Sequence, residues 1–281
     1  MPSFDTPEAI SATAHVTAGS IRFAAGDRLD TVVEVRPRDP KREADVRAAD
    51  QTEVTYASGA LSVRTPKQRY FVGRTGTVDV TVELPTGSHI DTTGSWTQVL
   101  GEGRLGEVRV KTSTGDVRLD ATGPVQLTVS HGSIAVDRIE GMAEITTSSG
   151  SLRVGTVNGP AVLKNSHGST TVGAAIGDLR VSGANGDIDI TRAESSVTAT
   201  TAHGTLRVTE VTRDTIQLET SYGAIDIGIH EGTAAWLDVS SSHGQVRNTL
   251  AASQAPPETE DTVKVHARTR YGNIDIRRAR P

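Results

Sequence analysis

The sequence predicts an all-β parallel β-helix, a β-solenoid wound in coils of about 18 residues, and three observations carry that prediction. Glycine recurs on a fixed beat: Gly132, Gly150, Gly168, Gly186 and Gly204 stand 18 residues apart, with Gly115 and Gly223 within one residue of the same rhythm. A second set, Gly123, Gly141, Gly159 and Gly177, falls half a period out of step. After glycines of the first set come alternating apolar pairs such as Ile134 and Val136, Leu152 and Val154, Leu206 and Val208, and Ile225 and Ile227. Period-two strands separated by turn residues at a short repeat are what stacked coils require. Composition agrees. Only 35% of the 281 residues are hydrophobic and 3% aromatic, which is thin for a globular core but enough for a narrow column of Val, Ile, Leu and Ala.

Residues 1–83 alternate as strands without the strict period: Ile21 and Phe23, Val33 and Val35, Val54 and Tyr56, Leu61 and Val63, then Val78 to Val82. Between them, residues 39–50 are charged and alanine-rich, which predicts a short helix opened by Asp39 with Pro40 at its first position. A solenoid leaves unpaired strand edges at both ends, so this irregular N-terminal block reads as a cap for one of them. Residues 84–281 read as the solenoid proper. In one coil, residues 132–136 form a first strand, 138–141 a turn and 143–147 a second strand, and Gly150 closes the loop. A half-period of nine favours a flattened coil with two parallel sheets over a three-faced hexapeptide helix. The general bias of parallel crossovers favours right-handed winding. Pro124 and Pro160 follow turn glycines at strand starts, where a missing N–H does least harm. Toward the end the beat loosens, to 21 residues from Gly223 to Gly244 and 28 from Gly244 to Gly272. The second gap holds a polar, proline-bearing loop insertion at 251–261, after which Val265, Ala267, Ile274 and Ile276 supply a final coil.

Charge and composition exclude several function classes. A formal net charge of −5 offers no basic field for nucleic acid. The absence of cysteine removes disulfides and thiolate metal sites. Residues 1–8 carry neither a basic n-region nor an apolar h-region, and no stretch approaches the ~20 apolar residues of a membrane helix, so the expected location is cytoplasmic, without membrane insertion.

Repeated S-x-G-x-I-x-V units, the lead-in at 82–87 (VELPTG), the segments at 178–181 (DLRV) and 234–238 (AAWLD), and the closing 270–276 (RYGNIDI) resemble the bacterial putative-adhesin β-strand-repeat family, a domain of unknown function common in actinobacteria. The resemblance spans nearly the whole chain. It implies a β-solenoid and brings no catalytic residues with it.

Four histidines, His131, His167, His203 and His243, each precede a coil glycine; Ser149, Asn185, Tyr222 and Tyr271 hold that place in intervening coils. With coils about 4.8 Å apart, successive histidines stand roughly 9–10 Å apart, too far to share a zinc ion that needs nitrogens at about 2.0–2.1 Å. Ser-His neighbours on a strand point to opposite faces, so Ser130-His131, Ser166-His167 and Ser242-His243 do not make nucleophile–base pairs. These histidines read as a structural ladder.

Three residues past each glycine, the outward column reads Arg153, Thr171, Asp189, Arg207, Asp226, Arg247 and Asp275 in chain order. From Asp189 on the signs alternate, which predicts an ion-pair ladder. The outward columns of the second strand mix Thr with Lys, Glu, Arg and Val, unlike an ice-binding array. No P-loop, dinucleotide fingerprint, zinc spacing or calcium nonapeptide occurs, and no cofactor, metal or catalytic residue is expected. The reading is a non-enzymatic scaffold or protein-binding module. Its surface for an unknown protein partner comprises Asp189, Arg207, Asp226, Arg247, Tyr222, Trp236 and Tyr271. The alternative is a carbohydrate-binding, adhesin-like or carbohydrate-active protein using Trp236 and the tyrosines, and the assembly is a monomer or an end-to-end oligomer.

Overall fold

The computed structural model describes residues 1–66, 75–250 and 261–279. Among the described residues the chain is all-β apart from one helix, and its parallel strands wind as a β-solenoid in each of two compact units, residues 1–140 and 141–281. No described helix is long and apolar enough to cross a membrane.

In the first unit, β1 (Ser3–Asp5), β2 (Ser11–Gly26), β3 (Asp30–Pro37), α1 (Glu43–Asp50), β4 (Glu53–Ala57), β5 (Ala60–Arg64) and β6 (Val78–Pro85) precede the regular coils. Then come β7 (His89–Arg104), β8 (Val108–Thr114), β9 (Val117–Thr122), β10 (Val125–His131) and β11 (Ile134–Glu140). Strands β2 and β7 pair in parallel from Ser11 and His89 through Ala24 and Glu102, each crossing the coil corner unbroken. The two halves of β2 also pair with β5 and β6, and the two halves of β7 carry β8 and β9. Strands β10 and β11 extend these two ladders. Beyond β5 and β6 the pairing turns antiparallel, through β4, and through β3 and then β1. Antiparallel strands end a parallel ladder without presenting another parallel edge.

The helix begins later than the expected opening at Asp39 and Pro40. Its N-cap is Arg42, which makes no side-chain cap bond. Asp39 does accept from the backbone N–H of Lys41 at 2.9 Å, as a cap would, but the turn it opens stops at the extended Arg42. Asp45, buried in the first helical turn, accepts from the N–H groups of Asp39 and Thr77 at 3.2 and 3.0 Å.

In the second unit, each coil contributes one strand to each of two parallel ladders. The first four coils are β12 (Ala143–Ser149) with β13 (Leu152–Asn158), β14 (Ala161–His167) with β15 (Thr170–Ala175), β16 (Leu179–Asn185) with β17 (Ile188–Ala193), and β18 (Val197–His203) with β19 (Leu206–Val211). A fifth, β20 (Asp214–Tyr222) with β21 (Ile225–Ile229), stacks on these, with a register shift between Val208 and Val211 where β21 meets β19. Alternation decides what goes inside: Leu179, Val181, Ile188, Ile190 and Ala193 of a single coil are all at most 3% exposed. The corner glycines let successive coils approach. Gly186 has φ +145°, and a Cβ there would lie 2.1 Å from the carbonyl oxygen of Gly168 in the coil below. Inside the same turn, the buried Asn165 donates from Nδ2 to the carbonyls of Gly150, Gly168 and Ser169 at 3.0, 3.1 and 3.2 Å.

The last two coils are stacked out of chain order. Strands β22 (Ala234–His243), β23 (Val246–Asn248), β24 (Thr262–Tyr271) and β25 (Ile274–Arg278) follow in sequence. Yet β24 pairs with β20 on one side and β22 on the other, and β25 lies between β21 and β23 in the same way. The chain therefore steps out, lays down β22–β23, and returns to fill the gap with β24–β25. This corrects the expected column: Asp226 neighbours Asp275, and Arg247 lies beyond it, so the signs do not alternate to the end. The long Gly244–Gly272 interval is the chain length that permits the return. The loop expected at 251–261 falls, save for Asp261, outside the described residues.

Candidate functional site

The residue just before each corner glycine ends a strand of the first ladder and is exposed at His203, Tyr222 and Tyr271, although Thr201, Thr220 and Thr269 two places earlier are buried, so strict alternation lapses at the corner. Parallel in-register pairing then brings like positions within a coil spacing of one another. In the second unit this column runs Ser149, His167, Asn185, His203, Tyr222, Tyr271 and His243. Its last four members form a continuous ring stack. Centroids are 4.9 Å apart for His203 and Tyr222, 4.8 Å for Tyr222 and Tyr271, and 4.6 Å for Tyr271 and His243, with interplanar angles of 13°, 6° and 12°. Tyr222 and Tyr271 remain 47% and 42% exposed, so solvent meets ring edges while ring faces cover each other.

Around the corner lies the charged column. Arg207 reaches Asp189 at 3.2 Å and Asp226 at 3.4 Å. Asp275 stands between Asp226 and Arg247 in register. Near the end of the first ladder, Asp238 binds both Arg268 at 2.9 Å and His266 at 3.2 Å, while Arg268 also donates to Ser240 at 3.0 Å. Trp236 projects from β22 in register with Lys264 and is 66% exposed.

The structure thus gathers Tyr222, Tyr271, His203 and His243 into one edge and Asp189, Arg207 and Asp226 into the neighbouring strip. His167 stands apart in the column, with Nδ1 3.3 Å from the Ser148 carbonyl oxygen, and Asn185 separates it from His203. His131 belongs to the first unit, paired with Thr114. Among the described residues no group of three or more His, Asp or Glu side chains converges as metal ligands would.

Residues 15–278 match the Toastrack DUF4097 family. The chain belongs to that family. No curated protein matches it. Among solved structures, this Toastrack chain is similar to a putative adhesin from Bacteroides fragilis, with 15% identity, coverage of 98% of this chain and 95% of the other, and a TM-score of 0.38. A putative lipid binding protein from Parabacteroides distasonis aligns with 12% identity, the same coverages and a TM-score of 0.42. A putative adhesin from Parabacteroides merdae shows 13% identity over 80% of this chain and 93% of its own, at a TM-score of 0.44.

Some grouped residues of the Toastrack chain lie outside the sequence reading. The Asp238–Arg268–His266 cluster joins β22 to β24, which are neighbours in plain chain order too, so carrying the outward column one coil past Asp238 would have found it. In the first unit, His15 Nδ1 is 2.6 Å from Thr93 Oγ1, beside a cleft of about 860 Å³ lined by Thr13, Arg64, Glu53 and Asp50 among others. His15 sits on a strand without the glycine beat, so no repeat position marked it.

Proposed function

We propose that this Toastrack protein is a non-enzymatic β-solenoid scaffold whose aromatic corner, with the charged strip beside it, docks a protein partner. The four-ring stack is the observation that carries this reading. Aromatic side chains held on both faces by neighbours lose little rotamer freedom when a partner lands on them, so a rigid ring edge recognises at low entropic cost. The salt-bridged strip Asp189–Arg207–Asp226 is likewise ordered yet exposed, and suits partner selection by charge. The expected place of action is the cytoplasm.

The test is affinity capture from the native host with cross-linking, comparing the natural chain with Tyr222→Ser and Arg207→Ala variants. The proposal expects a captured protein cross-linked along this corner and lost in both variants. Capture that is indifferent to both variants would remove its support.

One observation favours a second reading, carbohydrate adhesion: the 66% exposed indole of Trp236, which leaves a ring surface free for a sugar. The tyrosines are poorer candidates, because sugars stack on ring faces and those faces are already covered. A glycan array and a turnover assay on polyuronates test it. Binding abolished by Trp236→Ala would favour adhesion, whereas silence in both assays would end it.

A further inference from the structure

The interleaved stacking leaves β22–β23 as the outermost coil of the second unit, and its side chains show it. At the positions where β24 buries Val263, Val265 and Ala267 at 0–1% exposure, β22 offers Ala235, Leu237 and Val239, all only partly buried. All three residues of β23 are exposed, with Val246 at 42%, whereas its register partner Ile274 is 0% exposed. Among the described residues, the apolar column therefore runs out to this edge without being closed. Among the described residues, the ladder partner of β22 is β24 and that of β23 is β25. The N–H of Ala234 bonds toward β24, at the Asp261 carbonyl. Backbone groups alternate sides along a strand, so those of Ala235, Leu237 and Val239 face the other way.

Three further features at the same edge specify what would fit. The ring of His243 has one face on Tyr271, and the stack ends there among the described residues. Arg247 has Asp275 in register on one side only, where Arg207 has carboxylates on both. The β22 side chains facing out carry the exposed Trp236 and the ion-paired Asp238, on the opposite face from Leu237 and Val239 at the open end of the column.

We propose that the edge of β22–β23 that no described strand covers accepts an extended segment of another polypeptide, added in parallel as one more coil. The segment has aliphatic residues at alternate positions over Leu237 and Val239, an aromatic or histidine ring followed by glycine over His243, and a carboxylate opposite Arg247. The pattern is ring-Gly-x-aliphatic-acid-aliphatic. This chain contains it twice, as residues 222–227 (YGAIDI), where Tyr222 stacks on His203 and Asp226 pairs with Arg207, and as residues 271–276 (YGNIDI), where Tyr271 stacks on His243 and Asp275 stands in register with Arg247. Main-chain bonding supplies affinity and the side-chain positions supply selectivity, as in other strand additions. This site shares only His243 with the docking corner above, and Leu237→Lys tests it apart from Tyr222→Ser and Arg207→Ala, so either can fail alone.

The probe is a fluorescent synthetic peptide with the sequence of residues 262–278, titrated against the whole protein by anisotropy and followed by hydrogen–deuterium exchange. Saturable binding is expected, with slowed exchange of amides at 235–241 and no change in 262–278 of the protein. Leu237→Lys, which puts a charge into the open column yet can reach solvent, should weaken binding about tenfold or more. Arg247→Glu should weaken it about threefold, and a peptide carrying Asp275→Lys should recover the loss, a rescue that only a folded protein can show. No saturable binding, or binding indifferent to Leu237→Lys, would overturn the proposal. So would faster exchange in 262–278, which would mean the peptide displaces the native coil. A concentration-dependent dimer in sedimentation that the peptide cannot dissociate would assign the edge to a second copy instead.

Discussion

Replacing Gly186 with alanine tests what the glycine beat is for. Its φ of +145° is a region L-residues rarely enter, which by itself costs about 1–3 kcal/mol. The added Cβ would also lie 2.1 Å from the carbonyl oxygen and 2.6 Å from the carbonyl carbon of Gly168, both backbone atoms that cannot swing aside. Opening that contact forces two coils apart at the corner, a misfit of the kind that costs about 1–3 kcal/mol more. Together the loss should be about 2–6 kcal/mol, or roughly 4–24 °C in melting temperature for a chain of this size. Gly232, in the same unit, is the control. Its φ is +85°, but a Cβ there meets nothing within 4 Å, so Gly232→Ala should cost only about 1–2 kcal/mol. The assay is urea or thermal unfolding of both variants beside the natural chain. Equal losses would show that backbone conformation, and not coil-to-coil approach, explains the recurrence.

A double-mutant cycle on the ring stack checks the interleaved order: Tyr222 and Tyr271 should couple by about 0.5–1.5 kcal/mol in unfolding experiments, while Tyr222 and His243 should couple by less than about 0.3 kcal/mol. Asn165→Ala removes a buried amide that donates to three carbonyls and should cost about 2–4 kcal/mol by urea titration; Asn165→Asp, which faces those carbonyls with a carboxylate, should cost more. The Arg28 guanidinium, hydrogen-bonded to Asp30 at 2.9 Å, holds the Asp30 carboxyl below the usual carboxylate range. The resulting stability is present above the unfolded-state pKa of about 3.9 and is lost as pH falls through the folded value, so Asp30→Asn should flatten the acid limb of a stability–pH curve and leave the alkaline limb unchanged.

Winding and sheet number were legible because they depend on local, repeated signals. Glycine at the corner and period-two aliphatics on either side, as in Gly186-Asp187-Ile188-Asp189-Ile190, determine both the bend and the inward face wherever they occur. Coil order is a different kind of information. The strands around Leu237 and Val239 and those around Val265 and Ala267 carry the same alternation, so either could stack on Ile216 and Leu218. What separates them is the quality of the column: Val263, Val265, Ile274 and Ile276 close it, whereas Ser240, Ser241 and Ser242 cluster near the end of the outer strand. The aromatic corner was therefore visible as a list of positions, but its contiguity was not. The late start of α1 has a simpler cause. Arg42 is extended, at φ −93° and ψ 111°, so the turn that Asp39 opens by accepting from the Lys41 N–H does not run on into the helix.

The interleaving also governs how this end of the molecule must come together. A nascent chain grown as far as Asn248 holds β22 and β23 before the surfaces they rest on exist, and only the arrival of Thr262–Arg278 supplies them. Assembly here cannot proceed as a simple vectorial zipper. A nonsense mutation or proteolytic clip ahead of Thr262 would strip support from a coil lying upstream of the cut, so damage near the carboxyl end propagates backward in the chain.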